Sequence, residues 1–193
     1  SDGPVPDGKA AGAVAEAIGY PVLVKASAGG GGRGIRKVDR EEDIEEAFSA
    51  AYKEALGAFG DGTLYMEKCI IDARHIEVQI LCDHYGEAIY LYERECSLQR
   101  RNQKVMEEAP SVAFGPEKRT EIGEAAVRAA KASGYKNAGT IEFLYDEASG
   151  NYYFMELNAR VQVEHPVTEM ITGIDIVREQ ILIANGGKLS YRQ

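Results

Sequence analysis

The chain has 193 residues, 45% apolar and 27% charged, the proportions of an ordinary globular protein that can bury a core as one domain or as a small lobe of a larger one. A net charge of −9 argues against a nucleic-acid-binding surface, which needs a basic field, and no run of about eighteen apolar residues is present to span a membrane. Cys69, Cys82 and Cys96 are odd in number and lack CxxC spacing, which argues against a disulfide framework or a thiolate metal site and fits a reducing cytosol.

The chain opens on Ser1-Asp2-Gly3-Pro4 like the middle of a loop, so it is expected to be cut from a longer one; a cytoplasmic location fits best, or the mitochondrial matrix if a leader was removed. Asp7 is expected to cap a helix through Ala10, Val14, Ala17 and Ile18 that ends at Gly19. Pro21 to Ser27 and Ile35 to Val38 have the composition of strands. Asp39 with Glu42 resembles a capping box for a helix to about Leu56, and Leu64 to Lys68 resumes as a strand. Residues 1–68 thus form a first lobe of β-α-β-β-α-β character, and 69–193 a second. The second is expected to hold strands Arg74 to Cys82 and Ala88 to Arg94, a polar connection from Glu95 to Lys104, and helices Pro116 to Ser133 and Asp175 to Asn185. Hairpin-linked strands mixed with helices give an α+β class.

Between the first two strands lies Gly29-Gly30-Gly31-Gly32-Arg33-Gly34. It opens no helix and no Lys-Ser or Lys-Thr follows, so neither a dinucleotide fold nor a P-loop is indicated. A glycine-rich hairpin tip can instead fold over a triphosphate, its N–H groups donating where no Cβ blocks approach, with Arg33 adding charge. The competing reading is a flexible linker. Lys25 interrupts an apolar strand just before the loop, where an unpaired ammonium would be costly and a phosphate would relieve it; an exposed edge strand would also explain it.

The stretch from Met155 to Pro166 carries the densest chemistry. With a two-residue period, Glu156, Asn158, Arg160, Gln162 and Glu164 share one face, and Met155, Leu157, Ala159, Val161 and Val163 the other. Thr140 to Tyr145 folds back on it through Asp146 to Asn151. With a five-residue loop, or a shorter one plus a bulge, Glu142 falls opposite Glu156 at a Cβ separation of about 4.5–5.5 Å. Two carboxylates so close repel unless a cation lies between them. Glu142, Glu156 and the Asn158 carbonyl are oxygen ligands suited to Mg²⁺ or Mn²⁺. Two unrelated surface glutamates would be the alternative.

These residues, with Val24-Lys25-Ala26, Met66-Glu67-Lys68, Arg74 to Gln79, Cys96 to Lys104, Glu107-Glu108-Ala109-Pro110 and Arg160 to Glu169, closely resemble the biotin carboxylase members of the ATP-grasp superfamily, over almost the whole chain and in order. The resemblance implies an ATP-grasp fold whose lobes clamp ATP, as in the biotin carboxylase subunit or domain of acetyl-CoA, propionyl-CoA or pyruvate carboxylase. It implies that Lys25 and Gly30, Gly31, Gly32, Arg33 and Gly34 hold phosphates. It also implies that Glu67, Lys68, Cys69 and Ile70 lie at the adenine, with His75, Gln99, Asn102 and Leu144 as further nucleotide contacts. Glu142, Glu156 and Asn158 would hold two Mg²⁺ or Mn²⁺ ions. Bicarbonate would meet Lys104, Arg160, Gln162, Val163 and Glu164, with Arg160, Glu164 and Lys104 catalytic and Glu164 the general base.

The implied reaction carboxylates biotin on its carrier protein, with a separate carboxyltransferase as the further partner. Asn102 stands where many members carry His, which removes a titratable group. The family's N-terminal domain and C-terminal extension, which carry a further nucleotide-contacting Lys and a biotin-contacting Arg, do not match this chain. It is therefore expected to be the ATP-grasp core, weakly active or inactive alone. A carbamoyl-phosphate synthetase-like ligase and a nucleotide-binding module without turnover are the other readings.

Overall fold

A computed structural model describes residues 1–29, 34–101 and 103–193. Among them, eight strands form two antiparallel sheets, and the chain divides into two units, Ser1–Ile71 and Asp72–Gln193. The boundary expected after Lys68 therefore lies inside unit 1, to which Cys69 and Ile70 belong.

Unit 1 begins with α1 (Gly8–Ile18), whose cap is Asp7 accepting from Ala10 N at 2.8 Å. Next come β1 (Val22–Ala26), β2 (Ile35–Val38), α2 (Ile44–Phe59) and β3 (Leu64–Lys68), with the sheet ordered β2-β1-β3. The leading strand of the expected β-α-β-β-α-β order is reduced to a single bridge between Val5 and Leu64. The capping box at Asp39 does not form. A 3-10 turn, Glu41–Asp43, intervenes, and α2 starts after Asp43 without a side-chain cap and runs past Leu56 to Gly60, whose left-handed φ of 74° ends it. Val22, Val24 and Ala26 of β1 are buried against Ala15, Phe48 and Ala51. Leu23 and Lys25 alternate onto the half-exposed face.

Unit 2 is a five-stranded sheet ordered β6-β5-β4-β7-β8, built from β4 (Arg74–Cys82), β5 (Ala88–Arg100), β6 (Gln103–Glu108), β7 (Asn137–Asp146) and β8 (Asn151–Asn158). The expected polar connection after Arg94 is instead paired strand. β5 continues to Arg100, which faces Gln103 of β6. Around Tyr92 (φ 60°), β5 carries one extra residue relative to β4.

The sheet's two faces differ. Ile76, Val78, Ile80, Ile141 and Phe143 pack on α3 (Pro116–Ala132) through Ile122, Ala126 and Ala130. On the other face, Leu81, Ile89, Leu91 and Ala138 pack on Ile176 and Ile183 of α5 (Ile176–Ala184), and Glu77, Gln79, Arg94, Thr140 and Glu142 form a buried polar patch. A helix that the sequence pattern did not suggest, α4 (His165–Thr172), follows β8.

Candidate active site

The polar face is set by strand parity. On β4, His75, Glu77 and Gln79 alternate with Ile76, Val78 and Ile80. Glu77 lies opposite Glu142 of β7 on one side and Arg94 of β5 on the other. The β7–β8 register then places Glu142 opposite Glu156 and Thr140 opposite Asn158. The register shifts by one residue between Glu142 and Phe143, with Met155 as the extra residue, so the expected shorter loop plus bulge is found.

At the centre is Lys104, facing Gln99 on the β5–β6 ladder. Its Nζ lies 2.5 Å from Glu77 Oε2, 2.7 Å from Glu164 Oε1 and 3.1 Å from Glu142 Oε1. Burial works against the ammonium, but the carboxylates of Glu77, Glu164 and Glu142 outweigh it and hold the pKa above that of a free lysine. Glu142 shows the mirror image. Burial would raise its carboxyl, yet His75 and Lys104 bring it down to about 2. Burial likewise opposes the charge on Glu164, and the Lys104 hydrogen bond prevails, keeping it below the usual value.

The remaining bonds lock this cluster. His75 Nε2 is 2.9 Å from Glu142 Oε2, and Gln99 Nε2 lies 2.9 Å from His75 Nδ1. Gln162, buried, donates from Nε2 to Glu142 Oε1 at 3.0 Å and accepts at Oε1 from Arg94 Nη2 at 3.0 Å. The expected residues His75, Gln99, Lys104, Glu142, Gln162 and Glu164 thus form one connected network. Glu77 and Arg94, which join it, were not among them.

Glu156, Asn158 and Arg160 form a second, exposed chain. Asn158 Nδ2 donates to Glu156 Oε1 at 3.2 Å, and Arg160 Nη2 donates to Asn158 Oδ1 at 3.1 Å. The single alternating strand expected from Met155 to Glu164 is corrected, since β8 stops at Asn158. Gln162 turns inward, Val163 is 93% exposed rather than core, and Glu164 sits at the start of α4. Met155 is also exposed. The cation expected between Glu142 and Glu156 is answered in part from within, because Lys104, shared with Glu77 and Glu164, already donates to Glu142.

In unit 1, Lys25 has a counter-charge of its own, Glu67 Oε2 at 2.7 Å, with side chains 24% and 46% exposed. It lies on the central strand, so neither an unpaired ammonium nor an edge position describes it. Lys68 Nζ donates to the carbonyls of Gly19 and Tyr20, each at 2.8 Å. Cys69 N donates to Pro21 O at 3.0 Å, and Ile70 is half-buried. Gly34, at φ 73°, accepts from Ala26 N at 2.8 Å, and a Cβ there would come within 2.8 Å of Ala26 Cβ, so only glycine fits. Gly30, Gly31, Gly32, Arg33 and Asn102 lie outside the described residues. Leu144 is half-buried on β7 opposite His75.

Oxygen chemistry at Glu142 and Glu156 fits a hard cation. Glu142 accepts three hydrogen bonds on two oxygens, and Glu156 accepts one from Asn158, so both retain acceptor capacity. A second grouping, Glu77, Cys96 and Glu164, fits poorly, because burial and then Glu77 push the Cys96 thiol well up from its ordinary value.

Residues 1–192 match the family model described as "Carbamoyl-phosphate synthase L chain, ATP binding domain". The chain is 56% identical over 193 residues to the 2-oxoglutarate carboxylase small subunit of Hydrogenobacter thermophilus, all of this chain but 41% of that one. It is 54% identical over 192 residues to the mitochondrial propionyl-CoA carboxylase alpha chain of Mus musculus, all of this chain but 26% of that one. Among solved structures, the Campylobacter jejuni biotin carboxylase complex with β,γ-ATP matches with TM-score 0.93 at 51% identity, covering 99% of this chain and 43% of that one. The H. thermophilus biotin carboxylase domain dimer with MgADP, ADP and bicarbonate matches with TM-score 0.93 at 56% identity, covering 100% and 42%. The chain therefore spans well under half the length of these relatives. It belongs to the family of the carbamoyl-phosphate synthase L chain ATP-binding domain, with the α+β ATP-grasp fold, and its likeness within that family is to biotin carboxylases.

Proposed function

We propose that the protein is the ATP-grasp core of a biotin carboxylase, which uses ATP and bicarbonate to carboxylate biotin on a carrier protein through carboxyphosphate. The observation that carries this reading is the convergence of Lys104 and Gln162 on Glu142, with Glu164 on the same ammonium. It supplies a cation, an amide donor and an ionised carboxylate within one buried network, the groups needed to hold a small oxyanion and take its proton.

Glu164 is ionised at neutral pH but is a weak base while Lys104 donates to it. Bicarbonate arriving between Lys104 and the exposed fork of Arg160 would draw the ammonium toward itself and restore basicity to Glu164. The bicarbonate hydroxyl proton then passes to Glu164 as its oxygen attacks the γ-phosphorus and the bond to ADP breaks, giving carboxyphosphate. Carboxyphosphate then splits into carbon dioxide and inorganic phosphate, and the ureido nitrogen of biotin takes up the carbon dioxide as its own proton passes to that phosphate. Glu142, Glu156 and Asn158 would hold the divalent ions, two Mg²⁺ or Mn²⁺, which supply charge neutralisation for the triphosphate. Lys25, the glycine loop with Arg33 and Gly34, and Glu67 to Ile70 are assigned to the nucleotide, with His75, Gln99, Asn102 and Leu144 as further contacts. The Val163 backbone is assigned to bicarbonate.

The partners are the carrier protein and carboxyltransferase of the parent enzyme, in the cytoplasm or the mitochondrial matrix. The family description favours one second reading, a carbamoyl-phosphate synthetase-like ligase, which shares the carboxyphosphate step. The test uses the full-length parent, with calorimetry against MgATP beside an assay of phosphate release. Release that depends on bicarbonate and rises with free biotin is expected. Dependence on bicarbonate without a biotin response would favour the second reading, and binding without turnover would leave only a nucleotide-binding module.

A further inference from the structure

Arg94 is completely buried, and a buried guanidinium is tolerated only where its donors are met. A guanidinium has five N–H donors, and five acceptors surround this one. Nε donates to Glu77 Oε1 at 2.6 Å. Nη1 donates to Gln79 Oε1 at 2.9 Å and Thr168 Oγ1 at 2.7 Å, and Nη2 to Gln162 Oε1 at 3.0 Å and, more weakly, Thr140 Oγ1 at 3.4 Å. With its fork saturated by side chains from β4, β7, α4 and the segment before α4, Arg94 has no donor left for a substrate.

We propose that Arg94 is the positioning residue of the bicarbonate site, fixing Gln162 directly and Lys104 through Glu77. The inference rests on the bicarbonate reading above. Because Arg94 Nη2 demands an acceptor, the Gln162 amide must turn its oxygen to the guanidinium and its Nε2 to Glu142. The flipped amide would oppose two donors in a buried place, at the cost of a lost hydrogen bond and an unmet polar group. Glu77 does the same for Lys104: one oxygen is held by Arg94 Nε and the other takes the ammonium at 2.5 Å, so the carboxylate is a rigid strut between the two cations. Thr168 extends the arrangement to α4, whose N-cap is Glu164. Arg94 thereby orients an amide, an ammonium and the helix at the proposed base, without touching the anion.

The test compares Arg94→Lys and Thr168→Val with wild type in the full-length parent, measuring bicarbonate KM, kcat and MgATP affinity together. Arg94→Lys keeps the charge but not the fork, and should raise the bicarbonate KM by about tenfold or more, with MgATP affinity within about twofold. Thr168→Val preserves shape and removes one acceptor. It should raise the same KM by roughly two- to tenfold while lowering the melting temperature by only a few degrees, and it carries the test if Arg94→Lys does not fold. Bicarbonate KM and MgATP affinity weakening in step, or a Thr168→Val enzyme with unaltered bicarbonate KM, would overturn the positioning role. A wild-type parent without bicarbonate-dependent ATP cleavage would overturn the function itself and this role with it, an outcome distinct from intact turnover that the variants fail to disturb.

Discussion

Lys25 on the three-stranded sheet and Lys104 on the five-stranded sheet are both strand lysines, yet they are held by different physics. Lys25 meets one carboxylate, Glu67, on a half-exposed face where water competes for both charges. Lys104 meets three, Glu77, Glu142 and Glu164, in a largely buried network that Arg94 enters through Glu77. A surface pair of the first kind adapts readily and adds little to stability. A cluster of the second kind is rigid, and removing any member leaves another charge exposed to low dielectric.

The largest effect that would sharpen this contrast is on turnover. Glu164→Gln in the full-length parent should lower bicarbonate-dependent ATP cleavage by about 10²–10⁴-fold while MgATP affinity, read by calorimetry, stays near wild type. Unchanged turnover would remove Glu164 from the base role. Next is stability: Glu77→Ala strips the shared partner from Arg94 and Lys104 and should cost about 3–5 kcal/mol in denaturant unfolding. A loss below about 1 kcal/mol would show that the cluster is no more rigid than a surface pair.

The pH response comes third. The folded value of Glu142, about 2, lies below the 4.5 of a free glutamate, so the stability it contributes is complete above the unfolded value and is lost as pH falls toward 2. Glu164 and Glu95 are also held down and act on the same acid limb. Denaturant midpoints should therefore fall between about pH 5 and pH 2, and more shallowly in Glu142→Gln. Smallest of all, Lys25→Met should change stability by no more than about 1 kcal/mol, measured in the same way. A larger loss would erase the distinction between the two lysines.

Some of this was legible in the chain and some was hidden for definite reasons. β4 and the β7–β8 hairpin were readable because alternation and a turn-rich segment specify register locally, and Glu142 does face Glu156. The stretch after Asn158 imitates a strand in sequence because its polar and apolar residues alternate. There Gln162 is drawn inward by Arg94, and Pro166 belongs to the first turn of α4. Arg94 is hidden in the sequence because Glu93-Arg94-Glu95 looks like a solvated charge run. Only the pairing of Glu77 with Arg94 across two strands reveals it as interior. A signal was present all the same, since His75, Glu77 and Gln79 share a face on a strand whose other face carries Ile76, Val78 and Ile80.

The extra residue at Met155 has a consequence for how this hairpin tolerates change. On the turn side, Phe143 meets Phe154 and Tyr145 meets Tyr152, with the Phe143 and Tyr152 rings edge to face at 5.5 Å. Were that pairing to continue unshifted, Met155 would stand across from Glu142, and Glu156 would swing to the side occupied by Ile141. One inserted amino acid therefore separates an aromatic zipper from an acidic pair on adjoining lengths of the same two strands. Evolution or engineering can vary the first without disturbing the second only while that offset is preserved.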